Sequence, residues 1–145
     1  MSDDVPVVKK AWALVDEAKA HIENLSADQV KQELDAGSAM LVDIRDFREL
    51  YLKGKIPGAF HAERGMLEFW VDPASEYYRD TFKPENRYIL YCAGGGRSAL
   101  AAQTLKEMGY PNVAHLEAGF GGWADAGMPV EDVQEGSKWV LKGKS

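Results

Sequence analysis

Cys92 is the one cysteine in a chain of 145 residues. It follows the apolar and aromatic run Arg87-Tyr88-Ile89-Leu90-Tyr91 and is followed at once by Ala93, Gly94, Gly95, Gly96 and Arg97. A thiol at the end of a buried strand, just before a flexible stretch and a helix start, stands where α/β sheets bind their ligands. The three glycines let the chain curl so that successive N–H groups turn inward, and the first helical turn adds unpaired N–H groups and the positive end of its dipole. Such a cradle favours an anion. In comparable settings a cysteine pKa moves from about 8.5 to roughly 3.5–7.5, which makes the sulfur a nucleophile near neutral pH. Arg97 adds a permanent charge with planar donors suited to an oxyanion.

Three other readings of the same residues stay open at this level. Free cysteine is often a small buried apolar residue, with glycines that only allow tight packing. Gly94, Gly96 and Ala99 also fit a G-x-G-x-x-A dinucleotide fingerprint with Glu117 as the ribose acid, although only residues 118–145 follow it, too few for the remaining strands of such a fold. A cysteine phosphatase or arsenate reductase loop likewise holds a thiolate in an anion cradle, but places one residue more between Cys and Arg than the four found here. A lone cysteine excludes an internal disulfide. His21, His61 and His115 are scattered, have no paired acid or thiol in sequence and show no zinc-ligand spacing, so they are assigned no catalytic role and no metal is expected.

The elements that must position Cys92 follow from hydrophobic period and punctuation. Val8, Trp12, Val15, Ala18 and Ile22 recur at helical spacing and predict an amphipathic helix within Val5 to Ile22. Ser26 and Gln29 form a capping box that opens a second helix, ended by Gly37. Ala39 to Ile44 is the short apolar run of a strand buried on both faces. Asp46 and Glu49 repeat the capping pattern for a helix from Phe47 to Lys53, closed by Gly54, and Lys55 to Ala59 is turn chemistry. The aromatic stretch from Gly65 to Phe82 is an irregular helical region. Arg87 to Tyr91 is a strand, Ser98 to Met108 a helix stopped by Gly109, and Val113 to Leu116 a further strand. Strands alternating with helices imply an α/β fold around a parallel sheet. The expected organisation is an N-terminal helical extension at 1–24, a domain at 25–131 and a C-terminal tail at 132–145.

Composition narrows the partners. A hydrophobic fraction of 46 % describes an ordinary globular protein, and a net charge of -6 argues against a phosphate-tracking surface, so no nucleic acid partner is expected. The acidic start Met1-Ser2-Asp3-Asp4 is unlike a targeting segment, and no apolar run approaches the roughly 20 residues that cross a bilayer. A cytoplasmic protein without membrane contact is expected.

From about Leu25 to Val130 the sequence resembles the rhodanese family. Leu41-Val42-Asp43-Ile44-Arg45 with Glu49 is similar to its first strand motif, and Gly54-Lys55-Ile56-Pro57-Gly58-Ala59 to its G-H-I-P-G-A turn, with Lys55 in place of the usual His. Cys92 to Arg97 resembles its six-residue active-site loop, and Gly121-Gly122-Trp123 with Gly127-Met128-Pro129-Val130 its closing signature. The resemblance implies a rhodanese-like fold, a parallel sheet flanked by helices, and a sulfurtransferase of the thiosulfate sulfurtransferase type. Cys92 would take sulfur as a persulfide from thiosulfate or another sulfane donor and pass it to cyanide or a thiol, without a cofactor. Ala93, Gly94, Gly95, Gly96, Arg97 and Ser98 would bind substrate. Arg97 is the one charge of the loop, where relatives that use thiosulfate often carry more, which leaves room for a bulkier persulfide donor or for a relay acting with a partner protein. Arg64 is a candidate second positive charge at the mouth, against the alternative of a surface arginine. Asp43 and Arg45 are read as structural, and Trp123 as core.

Overall fold

The computed structural model describes residues 7–136, so the acidic start Met1 to Asp4 and the end of the expected tail lie outside the described residues. Its elements, in chain order, are α1 (Ala11–Lys19), β1 (Glu23–Leu25), α2 (Ala27–Ala36), β2 (Met40–Asp43), α3 (Phe47–Lys53), β3 (Phe60–His61), a 3-10 turn (Arg64–Met66), α4 (Leu67–Val71), β4 (Tyr88–Tyr91), α5 (Gly96–Glu107), β5 (Val113–Leu116), α6 (Gly119–Asp125) and α7 (Val133–Gly136). The five strands form one sheet in the order β1-β5-β4-β2-β3, every pairing parallel.

Strand β4 lies at the centre, with all four side chains buried. Alternate residues point to opposite faces of a strand. Tyr88 and Leu90 join Val42, Leu67, Phe82, Leu105 and Val113 in one core, while Ile89 and Tyr91 join Leu25, Val30, Leu41, Leu116 and Trp123 in the other. Cys92 continues the face of Tyr88 and Leu90, so the thiol leaves the sheet on the side of α5. A smaller cluster of Val15, Ala18 and Ala99 seats α1 on α5.

The two expected capping boxes form. Ser26 Oγ accepts from the Gln29 amide while the Gln29 side chain accepts from the Ser26 amide, and Asp46 and Glu49 cap α3 in the same way. Gly37 ends α2 in the left-handed conformation. The leading helix is shorter than expected: Lys10, extended at ψ 141°, precedes α1 without a side-chain cap, and Val7 and Val8 are exposed, with little to bury against among the described residues. Val5 and Pro6 lie outside the described residues.

Two edge strands were not expected. β1 is half polar and runs across the boundary drawn between residues 24 and 25, and β3 is two residues long, so neither carries a period that could mark it. Helix α6 forms from a glycine-rich segment of poor intrinsic propensity, held by burial of Phe120 and Trp123 and by the Trp123 indole, which donates to the Pro129 carbonyl at 2.7 Å. Between Gly65 and Phe82 the helical part is confined to the 3-10 turn and α4. Helix α7 falls within the segment expected to be a C-terminal tail.

Candidate active site

Cys92 leaves β4 beside the start of α6, and that helix organises the loop. The Phe120 and Gly121 amides donate to the Cys92 and Ala93 carbonyls at 2.8 and 3.0 Å. With those carbonyls engaged, loop amides are free to face the other way. Gly95 makes the reversal at φ +96°, where a side chain is strained and a Cβ would overlap the Glu117 carbonyl. Gly119 matches it from the facing loop at φ +69°, since a Cβ there would overlap the Ala93 carbonyl.

The result is a sulfur that accepts from two amides, Gly95 at 3.2 Å and Ser98 at 3.4 Å. Gly95 caps α5 and Ser98 lies in its first turn, where amides have no partner within the helix. Cys92 as a residue is 1 % exposed, yet it lines a cavity of about 410 Å³ whose other walls are Ala11, Trp12, Val15, Gly94, Gly96, Arg97 and Leu100. Cys92 is therefore a buried residue in the wall of a cavity, with its sulfur against two amides.

Behind the sulfur runs a chain of polar groups. The thiol donates to Ser98 Oγ at 3.6 Å, Ser98 Oγ lies 2.8 Å from His115 Nδ1, and His115 Nε2 lies 2.8 Å from Asn24 Oδ1. The Asn24 amide nitrogen donates to the Lys19 and Ile22 carbonyls, so its oxygen must face the ring. That requires the proton on Nε2 and leaves Nδ1 to accept from Ser98. The hydroxyl hydrogen of Ser98 is thus committed to His115, and its lone pair is what Cys92 meets. Burial, and then the charge of Lys19, lower the His115 pKa to about 4 against a smaller opposing effect of Glu117, so the ring is neutral near pH 7.

Sequence spacing could not bring Ser98 and His115 together. A histidine in the otherwise apolar strand Val113–Leu116 was the available signal, because a fully buried polar side chain must find partners.

Of the two positive charges considered from sequence, Arg97 lies at the cavity and Arg64 does not. Arg97 lines the cavity with Cys92, but its main partner is Glu49, which with a smaller contribution from the Cys92 sulfur raises its pKa. Both of its terminal nitrogens donate to Glu49, at 2.9 Å each. Hydrogen bonding from Arg97 holds the Glu49 carboxyl below its ordinary value, and Glu49 in turn raises Arg97. Glu49 is also the capping residue of α3, so one carboxylate serves both loops. Arg64 does not line the cavity. Its Nη1 pairs with Glu68 at 2.7 Å, one helical turn ahead, which draws it along its own element.

Next to the cysteine loop, Asp43 at the end of β2 is fully buried beside Arg45. Arg45 donates to both carboxylate oxygens at 3.0 and 2.8 Å and to the Gly54 carbonyl at 2.8 Å, and Tyr91 donates its hydroxyl to Asp43 at 2.7 Å. The Arg45 guanidinium stacks 4.3 Å from the centre of the Phe120 ring. Burial pulls the Arg45 pKa down, but hydrogen bonding and charge from Asp43 leave it raised overall. Burial, then the same carboxylate, push the Tyr91 phenol far above its ordinary value. The cluster ties β2, β4 and the Gly54 turn together. Among the described residues no group of three or more His, Cys, Asp or Glu is arranged to hold a metal ion, and no helix is long and apolar enough to cross a membrane.

Comparison with known proteins agrees with this architecture. Residues 26–126 match the family described as Rhodanese-like domain. The thiosulfate sulfurtransferase GlpE of Shewanella oneidensis is 34 % identical over 103 residues, covering 71 % of this chain and 93 % of that protein. A solved structure from Rhodopseudomonas palustris, described as a protein of unknown function and possible tyrosine phosphatase, is 47 % identical, with a TM-score of 0.83, over 87 % of this chain and 97 % of that one. The polysulfide-sulfur transferase homodimer of Wolinella succinogenes is 30 % identical, with a TM-score of 0.67, over 81 % of this chain and 84 % of that one. With its parallel sheet and its cysteine loop between β4 and α5, the chain belongs to the rhodanese-like domain family and is a sulfurtransferase of rhodanese type.

Proposed function

We propose that Cys92 carries the sulfur atom, as a persulfide formed and discharged in two displacements. The Cys92 thiolate attacks the outer sulfur of a sulfane donor. A new S–S bond forms to Cys92, the bond between that sulfur and the rest of the donor breaks, and its electron pair leaves with sulfite or a thiolate. In the second step cyanide or an acceptor thiol attacks the outer sulfur, and Cys92 departs as thiolate. Dividing the transfer in this way is covalent catalysis, and one cysteine suffices. The observation that carries the reading is the Cys92 sulfur, held by the Gly95 and Ser98 amides in a residue that lines the cavity. Before attack the thiol must lose the proton it donates to Ser98, and the two amides remain to stabilise the charge. The GlpE relative is named for thiosulfate, which makes thiosulfate the first donor to test.

Replacing Cys92 by Ser should reduce thiosulfate-dependent thiocyanate formation to the uncatalysed rate; retained activity would refute the assignment. A second reading, relay to a protein thiol, is favoured by the engagement of Arg97 with Glu49. It predicts sulfur loading on Cys92 with little turnover to cyanide and rapid handover to a protein acceptor. Phosphatase chemistry fits less well. The loop is one residue shorter between Cys92 and Arg97 than phosphatase loops, and the guanidinium that would clamp a phosphate is already paired.

A further inference from the structure

We infer that α1 makes the mouth of the Cys92 cavity an apolar specificity pocket, and that the preferred sulfur donor is an organic one whose aryl or alkyl group lies against Trp12, Val15 and Leu100. The inference rests on the persulfide chemistry proposed for Cys92 and adds the class of substrate. Its starting point is the origin of the walls. Ala11, Trp12 and Val15 come from α1, outside residues 26–126 that match the family, and Leu100 comes from α5 beneath it. Helix α1 is seated by Val15 and Ala18 on Ala99, which fixes Trp12 over the cysteine loop. The Trp12 ring lies so close to Gly96 that a Cβ there would meet it at 3.0 Å. Trp12 is nevertheless 65 % exposed, leaving much of its ring without a protein neighbour among the described residues.

Charge points the same way. Among the described residues Arg97 is the one charged side chain lining this cavity, and Glu49 neutralises it through two hydrogen bonds. Thiosulfate carries two negative charges, and bringing them against Trp12, Val15 and Leu100 removes water where the one lining cation already shares its charge with Glu49. An organic thiosulfonate or persulfide carries at most one charge, near the sulfur that the loop amides serve. Its hydrocarbon part gains from leaving water, and an aromatic group gains further from a ring to pack on. A volume of about 410 Å³ accommodates more than a small inorganic anion. With a thiosulfonate, Cys92 bonds to the terminal sulfur, the bond between the two donor sulfurs breaks, and the electron pair leaves with the sulfinate. With a persulfide the leaving group is the organic thiolate. Neither step needs an outside oxidant or reductant.

The test compares benzenethiosulfonate with thiosulfate as donor, cyanide being the acceptor, in the full chain and in Trp12→Ala. The native protein should favour benzenethiosulfonate in kcat/KM by about tenfold or more, and Trp12→Ala should lower that preference by about tenfold, with Trp12→Phe restoring most of it. A ratio that moves less than about twofold in Trp12→Ala, or a native preference for thiosulfate, would overturn the inference and assign this wall to a protein partner. Should Trp12→Ala not fold, benzenesulfinate binding to the native chain, read by tryptophan fluorescence, decides: it should bind more tightly than sulfite, and equal or weaker binding contradicts the pocket. Intact mass separates the two levels of the account. Failure of Cys92 to gain sulfur from either donor defeats the persulfide reading itself, whereas loading without donor preference defeats only the pocket.

Discussion

Two polar clusters stand side by side at the carboxyl ends of β2 and β4, and they differ in how completely they are paired. Asp43 and Arg45 are buried with both carboxylate oxygens bonded to the guanidinium, which also reaches Gly54 and stacks on Phe120. That cluster closes on itself. One loop away the Cys92 sulfur receives two amides and meets the Ser98 hydroxyl, in a residue that lines a cavity. Full pairing marks a cluster that fastens strands, whereas donors focused on one atom beside a cavity suit the reaction proposed for Cys92.

The largest effect that would break this contrast is on stability. Asp43→Ala leaves Arg45 buried without its partner and should cost about 3–5 kcal/mol in urea unfolding, whereas Cys92→Ser should cost less than about 1 kcal/mol while removing activity. Equal losses from the two substitutions would show that the cysteine loop is as structural as its neighbour.

Acid should expose the chain behind the sulfur. With a folded pKa of about 4 against about 6.5 in the unfolded state, His115 binds its proton first in the unfolded chain. Its contribution is therefore complete above about pH 6.5 and is lost as pH falls from there to about 4, by at most about 3 kcal/mol. Carboxylates held low in the fold, such as Glu33 and Glu49, lose their contribution at lower pH, as it falls through their folded pKa values. A pH series of unfolding midpoints should show this slope, and His115→Gln should flatten it. An unchanged slope would detach His115 from the account.

The glycines separate next. Gly95→Ala forces a side chain into a left-handed conformation and against the Glu117 carbonyl. Because a misplacement of about 1 Å can cost about a hundredfold, kcat/KM should fall roughly 10- to 100-fold. Gly94→Ala, where a Cβ meets nothing within 4 Å, should stay within about threefold. Similar losses at both positions would mean that loop flexibility, not the shape at Gly95, controls the site. The smallest expected effect comes from Glu49→Gln, which keeps an acceptor for the α3 cap but releases the Arg97 charge. Thiosulfate kcat/KM should rise about threefold, more at low salt than at high, and no change would show that Arg97 does not sense the donor.

What could be read from sequence was what neighbours in the chain decide. Ser26 with Gln29 and Asp46 with Glu49 satisfy donors three residues away, so α2 and α3 were legible to within a residue or two. The buried strand before Cys92 and the turn at Gly95 are equally local. Strands β1 and β3 exist because of the strands they pair with, and α6 because Phe120 and Trp123 find a core, so their own residues carried little signal. The site divides in the same way. Cys92 and its loop were evident, but the pairing of Arg97 with Glu49, 48 positions away, was not. The partnership of Ser98, His115 and Asn24 likewise depends on α5, β5 and β1 meeting in space.

The most direct measurement is the intact mass of the reduced protein after incubation with thiosulfate or benzenethiosulfonate and removal of excess donor. The account predicts one added sulfur atom, located on Cys92 by peptide mapping, removed by cyanide and absent from Cys92→Ser. An unchanged mass with both donors, or the same gain in Cys92→Ser, would contradict it.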